Sequence, residues 1–369
     1  MAVARCCTLR VEMSIDLLGR TGEEIIADAR RLLPRGHGRA REIYRDAVLL
    51  GRFEPEAHGL GSESAASWRR HFSFGLPTVV RTMQEEALIE EGRPTIKAVL
   101  ALEDGLEVEC VRIPMGQGRT TLCVSSQVGC RLACAFCETA KLGLLRNLTP
   151  AEIVAQVVVA RVVLGWSIRN IVFMGMGEPM DNADAVVQAL RVLTDRRGLS
   201  YGQQRITVCT AGRPDGLEKL ARLGFTRLDI AVSLNAATDE KRSRLMPVNR
   251  RVPLADLQRA LVAYPRRKGY VYAVNYCLLP GINDSRDDAF AVADFCRPLG
   301  RALVNVIGYN PGSKPLTRPP TETELVQFTE WLTEAGVPNR RRATKGRSVM
   351  AACGQLGNVE LRRSARAQT

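Results

Sequence analysis

The stretch Cys123-Val-Ser-Ser-Gln-Val-Gly-Cys130-Arg-Leu-Ala-Cys134-Ala-Phe-Cys137 opens the part of the chain whose pattern decides the fold. It begins on a short strand pattern, Thr120-Thr-Leu-Cys-Val-Ser, and runs into a loop over 126–148 that carries three cysteines spaced C-x3-C-x2-C. Thr149-Pro-Ala-Glu152 then starts a helix: Thr caps it, Pro takes the first helical position, and Glu closes a capping box. Ile153, Val154, Val157, Val158 and Val162 give that helix one apolar face. Downstream, strand patterns at 168–174, 205–210, 228–234, 270–279 and 303–309 alternate with helical patterns at 183–194, 216–223, 239–245, 254–263, 287–296 and 321–335. Six β–α units counted from Cys123 predict a parallel sheet with right-handed crossovers, an α/β fold built as a partial (βα)6 barrel. Sites in such folds gather at the C-terminal ends of the strands.

Upstream, Thr95-Ile-Lys-Ala-Val-Leu-Ala-Leu, Glu103-Asp-Gly and Leu106-Glu-Val-Glu-Cys-Val-Arg-Ile read as a hairpin with an Asp-Gly turn. Residues 1–94 read as helical and basic, a small N-terminal accessory domain. A helix opens at Ser14-Ile-Asp-Leu-Leu, and breaks fall at Gly36-His-Gly38 and 59–64. The expected organisation is accessory domain 1–94, main domain 95–357 and basic tail 358–369.

The chain has 369 residues, 46% apolar, with a formal net charge of +13. That surplus points to a polyanionic partner such as nucleic acid, or to a generally basic surface. Arg30, Arg31, Arg35, Arg39 and Arg41 form one cluster, Arg69 and Arg70 a second, and Arg340, Arg341, Arg342 and Lys345 a third. Trp68 and Phe72 beside the second suit base stacking or the core. No apolar run reaches membrane-spanning length and no export signal is seen, so a reducing, cytoplasmic setting is expected. There, eleven unevenly spaced cysteines favour metal or redox chemistry over structural disulfides. The histidines are His37, His58 and His71. The large C-terminal part therefore holds neither a His-ligated metal nor a His base.

Cys130, Cys134 and Cys137 can occupy three corners of an iron–sulfur cluster. Such clusters ordinarily take four cysteines, so a three-cysteine loop leaves one iron open to another ligand. A zinc site completed from elsewhere in the chain is the alternative.

Around this loop stand Arg146-Asn-Leu-Thr, Phe173-Met-Gly-Met-Gly-Glu-Pro179, Leu245-Met-Pro-Val-Asn249, Leu279-Pro-Gly-Ile-Asn-Asp284 and Ala351-Ala-Cys-Gly-Gln-Leu356. Together with Cys123–Cys130 these blocks resemble the RlmN/Cfr family of radical S-adenosylmethionine (SAM) RNA methyltransferases, from about residue 95 to 357 and more weakly over the helical N-terminus. The resemblance implies a 4Fe–4S cluster on Cys130, Cys134 and Cys137, with SAM on the open iron. It implies methylation of an sp2 adenine carbon, carbon 2 favoured, in rRNA and in tRNA. Such a carbon is not nucleophilic, so the radical route is supplied by the cofactor. By the same resemblance Cys353 carries the methyl group and Cys123 resolves the protein–RNA adduct through a disulfide, so the two must lie close together. Glu109 is the implied proton acceptor. Gly177, Glu178, Cys209, Ser233, Leu234, Asn235 and Asn310 are implied SAM contacts. A flavodoxin-type electron donor and a monomeric enzyme are also expected.

Some positions depart from the family pattern. Cys209 stands where Ser is usual, Asn235 replaces a usual His, and Glu138 follows the third cluster cysteine. Arg347-Ser-Val-Met350 stands where acidic residues are usual, which bears on the RNA target. Carbon-8 methylation as in the Cfr branch, another radical SAM reaction on a different RNA or a protein, and a non-catalytic cluster-bearing RNA-binding protein are the competing readings. Cys110, Cys277 and Cys296 are expected in the core, as are Cys6 and Cys7 where ordered.

Overall fold

The computed structural model describes residues 14–86 and 93–357. The expectations for Cys6, Cys7 and the 358–369 tail lie outside the described residues. The N-terminal part contains β1 (Ile15–Asp16), α1 (Gly22–Leu32), α2 (Ala40–Leu50), α3 (Ser62–His71), β2 (Phe72–Ser73) and β3 (Thr78–Gln84). The hairpin follows as β4 (Ile96–Ala101) and β5 (Glu107–Met115), then β6 (Arg119–Cys123). The cysteine loop lies between β7 (Gln127–Gly129) and β8 (Leu144–Asn147), with α4 (Glu138–Lys141) inside it. The repeating part runs α5 (Pro150–Val158), β9 (Asn170–Phe173), α6 (Ala183–Thr194), β10 (Ile206–Thr210), α7 (Pro214–Arg222) and β11 (Asp229–Ser233). It continues with α8 (Asp239–Leu245), α9 (Leu254–Ala263), β12 (Tyr272–Leu278), α10 (Arg286–Cys296), β13 (Ala302–Gly308), α11 (Glu322–Glu334) and β14 (Asn339–Arg342).

One ten-stranded sheet runs in the order β14-β13-β12-β11-β10-β9-β6-β5-β4-β3. Strands from β6 to β14 are parallel neighbours, and β3 to β6 are antiparallel. This is the partial (βα)6 barrel expected, extended by one more parallel strand at its far edge. Period-two alternation divides each strand between two environments. Val274, Val304 and Val306 face the helices and are fully buried in the main apolar core. Their neighbours Ala273, Asn275, Leu303 and Asn305 line the barrel interior. Helix α5 is capped as read, by a reciprocal capping box of Thr149 and Glu152, and the structure adds two more, Ser285 with Asp288 and Thr321 with Glu324.

Three expectations are corrected. The helix read from Ser14 is shortened to a single 3-10 turn, Leu17–Gly19, preceded by Ile15–Asp16 pairing with Phe72–Ser73. The Asp16 carboxylate caps that turn, accepting from the Leu18 amide at 2.8 Å. Residues 1–94 are also not wholly helical, because β3 forms the outer edge of the large sheet. Finally, β14 escaped notice because Asn339-Arg-Arg-Arg342 has no apolar alternation. It is recruited by pairing in register with β13, Val304 opposite Asn339 through Ile307 opposite Arg342.

Trp68 and Phe72 are core residues, fully or almost fully buried with ring centroids 4.6 Å apart. They share one apolar core with Ile25, Ile43 and Tyr44 and with the helices of the barrel. Gln188 on α6 donates to the Gly19 carbonyl at 3.2 Å and to Glu24 at 2.8 Å, tying the N-terminal helices to the barrel wall. Among the described residues, no helix is long and apolar enough to cross a membrane.

The cysteine loop depends on one glycine. Gly129 ends β7 at φ +78°, and a Cβ there runs into the Gly143 carbonyl oxygen. That same oxygen accepts from the Cys130 amide at 2.9 Å, so the strained backbone sets the first cysteine. Gly129→Ala is expected to lower unfolding free energy by about 2–4 kcal/mol and to reduce iron content after reconstitution. Urea denaturation and iron analysis test it, and a parent-like midpoint with full iron refutes it.

Candidate active site

The cysteine loop crosses the C-terminal mouth of the barrel. Ala133, between the first two cysteines, takes a left-handed φ of +55°. The Ala135 amide donates to Leu245 O at 2.9 Å, which fastens the loop to the end of α8. Leu132 and Phe136 pack with Leu245, Met246, Val248, Leu279 and Tyr309 in a small apolar shell that screens the thiols from water. Burial pushes the Cys130 thiol up to about 12 and Cys134 well above the usual thiol range. Each feels its neighbouring cysteines as like charges. Such thiols are neutral without a metal and are deprotonated by iron when it binds.

Beside them lies Arg242, fully buried. Its guanidinium donates to Leu234 O at 3.0 Å, Ser233 O at 3.2 Å, Asn249 Oδ1 at 2.9 Å and Ala211 O. All four acceptors are neutral. Burial lowers its pKa to about 10, and Cys134 is foremost among the groups that raise it. A buried cation beside three thiolates suits an anionic iron–sulfur cluster. Among the described residues, no three or more His, Cys, Asp or Glu side chains are gathered tightly enough for one metal ion. A cluster, with its thiolates on separate irons, takes a wider-set trio.

A cavity of about 670 Å³ runs through the barrel interior. Arg119 and Arg205 line its lower end, and Cys123, Cys137 and Cys353 its upper end. Cys123, at the end of β6, is buried, whereas Cys353 is exposed. The two thiols are electrostatic neighbours, so residues 230 positions apart in sequence meet at one mouth, as the resemblance required. The nine described cysteines are all free, so the disulfide expected between this pair is not formed in this structure. Cys110 and Cys296 are core residues as expected. Cys277 is not: it is half-buried at the mouth, beside Cys353 and Cys137.

Cys353 sits on a strap, residues 346–357, drawn across the mouth. Gly354 O accepts from the Glu138 amide at 2.8 Å, and Gln355 Nε2 donates to Pro311 O at 2.8 Å. Leu356 O accepts from the Thr139 hydroxyl. Glu138, noted as a departure after the third cysteine, therefore links the cysteine loop to the strap. Its carboxylate also accepts from Ser313 and Lys141.

The remaining site residues lie at neighbouring strand ends. Gly177 has φ +98°, and a Cβ there falls 2.6 Å from Gln127 Cβ. Its glycine is thus required by packing against Gln127 as well as by backbone conformation. Glu178 is buried, accepting from Met180 N at 3.0 Å and Ala211 N at 2.8 Å. Burial nevertheless raises its pKa to about 7. The Cys209 thiol lies 3.3 Å from Ser233 Oγ. Leu234 is packed in the core, its amide donating to Asn275 O at 3.0 Å and its carbonyl accepting from Arg242 at 3.0 Å. Asn235 has φ +57°, a conformation in which Asn is tolerated, and its Oδ1 accepts from Cys277 N at 2.9 Å. Asn310 is buried at the edge of a second groove lined by Arg340, Arg341, Arg342 and Cys353.

Sequence reasoning missed Arg242, Lys97 and a polar row across the barrel. In that row Arg340 Nε donates to Asn305 Oδ1 at 2.6 Å, and Asn305 donates to Asn275 Oδ1 at 2.9 Å. The signal was available in part, since Asn275 and Asn305 interrupt apolar strands at matching registers. Arg340 thus stays exposed while its Nε reaches the polar row, and Arg341 pairs with Glu322.

Comparison with known proteins gives a consistent set of relatives. The model of the Radical SAM superfamily matches residues 124–296. A probable dual-specificity RNA methyltransferase RlmN 1 of Protochlamydia amoebophila is 44% identical over 269 residues, covering 73% of this chain and 75% of that protein. The dual-specificity RNA methyltransferase RlmN of Syntrophotalea carbinolica is 43% identical over 277 residues, 75% of this chain and 73% of its own. The crystal structure of a radical SAM methyltransferase from Sphaerobacter thermophilus superposes with a TM-score of 0.83 at 35% identity. It covers 93% of this chain and 99% of that one.

Glu178 makes a pH-dependent contribution. Its folded pKa, about 7, exceeds the ordinary 4.5, so its stabilising effect is complete below the unfolded value and is lost as pH rises through the folded one. In cofactor-free protein the stability advantage of the parent over Glu178→Gln is expected to shrink by about 2 kcal/mol between about pH 5 and about pH 8. Paired denaturation curves measure it, and a constant difference refutes it.

Proposed function

The chain belongs to the RlmN/Cfr family of radical SAM RNA methyltransferases, and on that premise we propose that it methylates carbon 2 of an adenine in RNA with Cys353 as the methyl carrier. The observation that carries this reading is the meeting of Cys353, Cys123 and Cys137 around one cavity. The relatives named dual-specificity support rRNA and tRNA as the two substrate classes.

Cys130, Cys134 and Cys137 would hold the 4Fe–4S cluster, which together with SAM would supply the radical chemistry that an unactivated adenine carbon requires. The protein's residues do the rest. Gly177, Glu178, Cys209, Ser233, Leu234, Asn235 and Asn310 would contact SAM, with the Glu178 carboxylate the acceptor for its ammonium group. Cys353, exposed on the strap, presents the one-carbon unit to the flipped-out base. Glu109 takes the ring proton. Cys123 attacks the Cys353 sulfur of the protein–RNA bridge; the S–S bond forms as the sulfur–carbon bond breaks, and the released carbon keeps the electron pair and takes up the proton given up by the Cys123 thiol, leaving the methyl group on the base. The basic N-terminal helices and the Arg340–Lys345 segment beside the Cys353 groove contact phosphates. A flavodoxin-type protein donates electrons to the monomeric enzyme.

Nucleoside mass spectrometry tests the reading, with rRNA and tRNA from a host lacking its own adenine-modifying enzyme. With this protein present, 2-methyladenosine is expected, and Cys353→Ala abolishes it. An 8-methyladenosine signal assigns the Cfr branch instead. Absence of methyladenosine with an intact cluster overturns the proposal and points to Arg347–Met350 as the mark of another substrate.

A further inference from the structure

Lys97 lies on β4 and Glu109 on β5, in a hairpin whose register sets Val99 opposite Glu109 and Lys97 opposite Val111. Paired positions share a face, so Lys97 and Glu109 are diagonal neighbours on one face. Their side chains are 6% and 4% exposed, and Lys97 Nζ stands 3.3 Å from Glu109 Oε1. Each also binds the strap. Lys97 Nζ donates to Met350 O at 3.0 Å, and Glu109 Oε2 accepts from Gly357 N at 3.1 Å. Cys353 lies between these two anchors in sequence.

An ammonium this deeply buried is costly unless it is paired and hydrogen-bonded. Here its partners are the carboxylate read as the proton acceptor and the segment bearing the methyl carrier. We propose that Lys97 is a positioning residue that holds Glu109 aligned with the Cys353 strap, coupling the proton acceptor to the methyl carrier. This rests on the reading of Glu109 given above. The step it serves is a proton transfer. The ring C–H bond breaks, its electron pair returns to the ring, and an O–H bond forms on Glu109. A displaced carboxylate cannot take that proton.

The two tasks of Lys97 separate by substitution. Lys97→Arg retains charge and donor, Lys97→Gln retains a donor alone, and Lys97→Met retains neither. The experiment measures 5′-deoxyadenosine released per methyladenosine formed, in reconstituted enzyme with RNA, alongside the mass of the Cys353 peptide and the iron content. A merely structural role lowers both products together. The positioning role leaves 5′-deoxyadenosine formation and Cys353 methylation in place while methyladenosine falls. For Lys97→Gln and Lys97→Met the ratio is expected to rise about 10-fold or more, within the roughly 10²–10⁴-fold that a general base supplies. Lys97→Arg restores it to near the parent value. Parent-like coupling in Lys97→Gln, or equal loss of both products in every variant, overturns the proposal. Glu109→Gln run in parallel separates the two readings. Parent-like coupling there removes Glu109 as the acceptor. Uncoupling there with coupled Lys97→Gln removes only the role of Lys97.

Discussion

The docking of residues 346–357 across the barrel mouth is the constraint on which the site depends. Without it Cys353 has no fixed place, because no strand or helix carries it. The strap is held from three directions: by the cysteine loop through Glu138 and Thr139, by the 309–311 turn through Gln355, and by the hairpin through Lys97 and Glu109. Each tie uses a buried or half-buried polar group. Buried polar groups are expensive unless satisfied, so the strap is specified by its partners rather than by its own propensity. The same ties connect the cysteine loop, the 309–311 turn and the hairpin that bears Glu109.

The barrel interior complements this arrangement electrostatically. Its walls carry Asn275, Asn305 and Arg340 in a hydrogen-bonded row. Arg242 places a buried cation beneath the cysteine loop, with only neutral oxygens as hydrogen-bond partners. A guanidinium buried this way is costly alone. An anionic cluster on the cysteine loop would offset that cost. Glu178 shows the opposite case: a carboxylate held by two amides yet pushed toward neutrality by burial, ready for a cationic partner.

Much of the barrel was legible in advance. The helices 183–194, 239–245 and 254–263 were read with the bounds they have in the structure, Ala183–Thr194, Asp239–Leu245 and Leu254–Ala263. Capping residues and apolar periods are local signals, and they agree with the packing around them. Where local signals conflict with a neighbour, the reading failed. Ile15–Asp16 was drawn into pairing with Phe72–Ser73, and Asn339–Arg342 became a strand only because β13 offered a parallel edge.

The sequence alone determined the order of strands and helices, the C-x3-C-x2-C loop and the candidate thiols, because spacing and periodicity are properties of neighbouring residues. It also carried the family blocks that named Glu109 and Cys353. Only the tertiary structure decided that Lys97 holds Glu109, that Arg242 is buried beneath the cysteines, that Arg340 bonds Asn305 and that Trp68 is core. The reason is physical: the bonds from Lys97 to Met350 and from Gly357 to Glu109 span 253 and 248 residues. No local pattern encodes such contacts, and they exist only once the sheet has formed and the strap has closed over it.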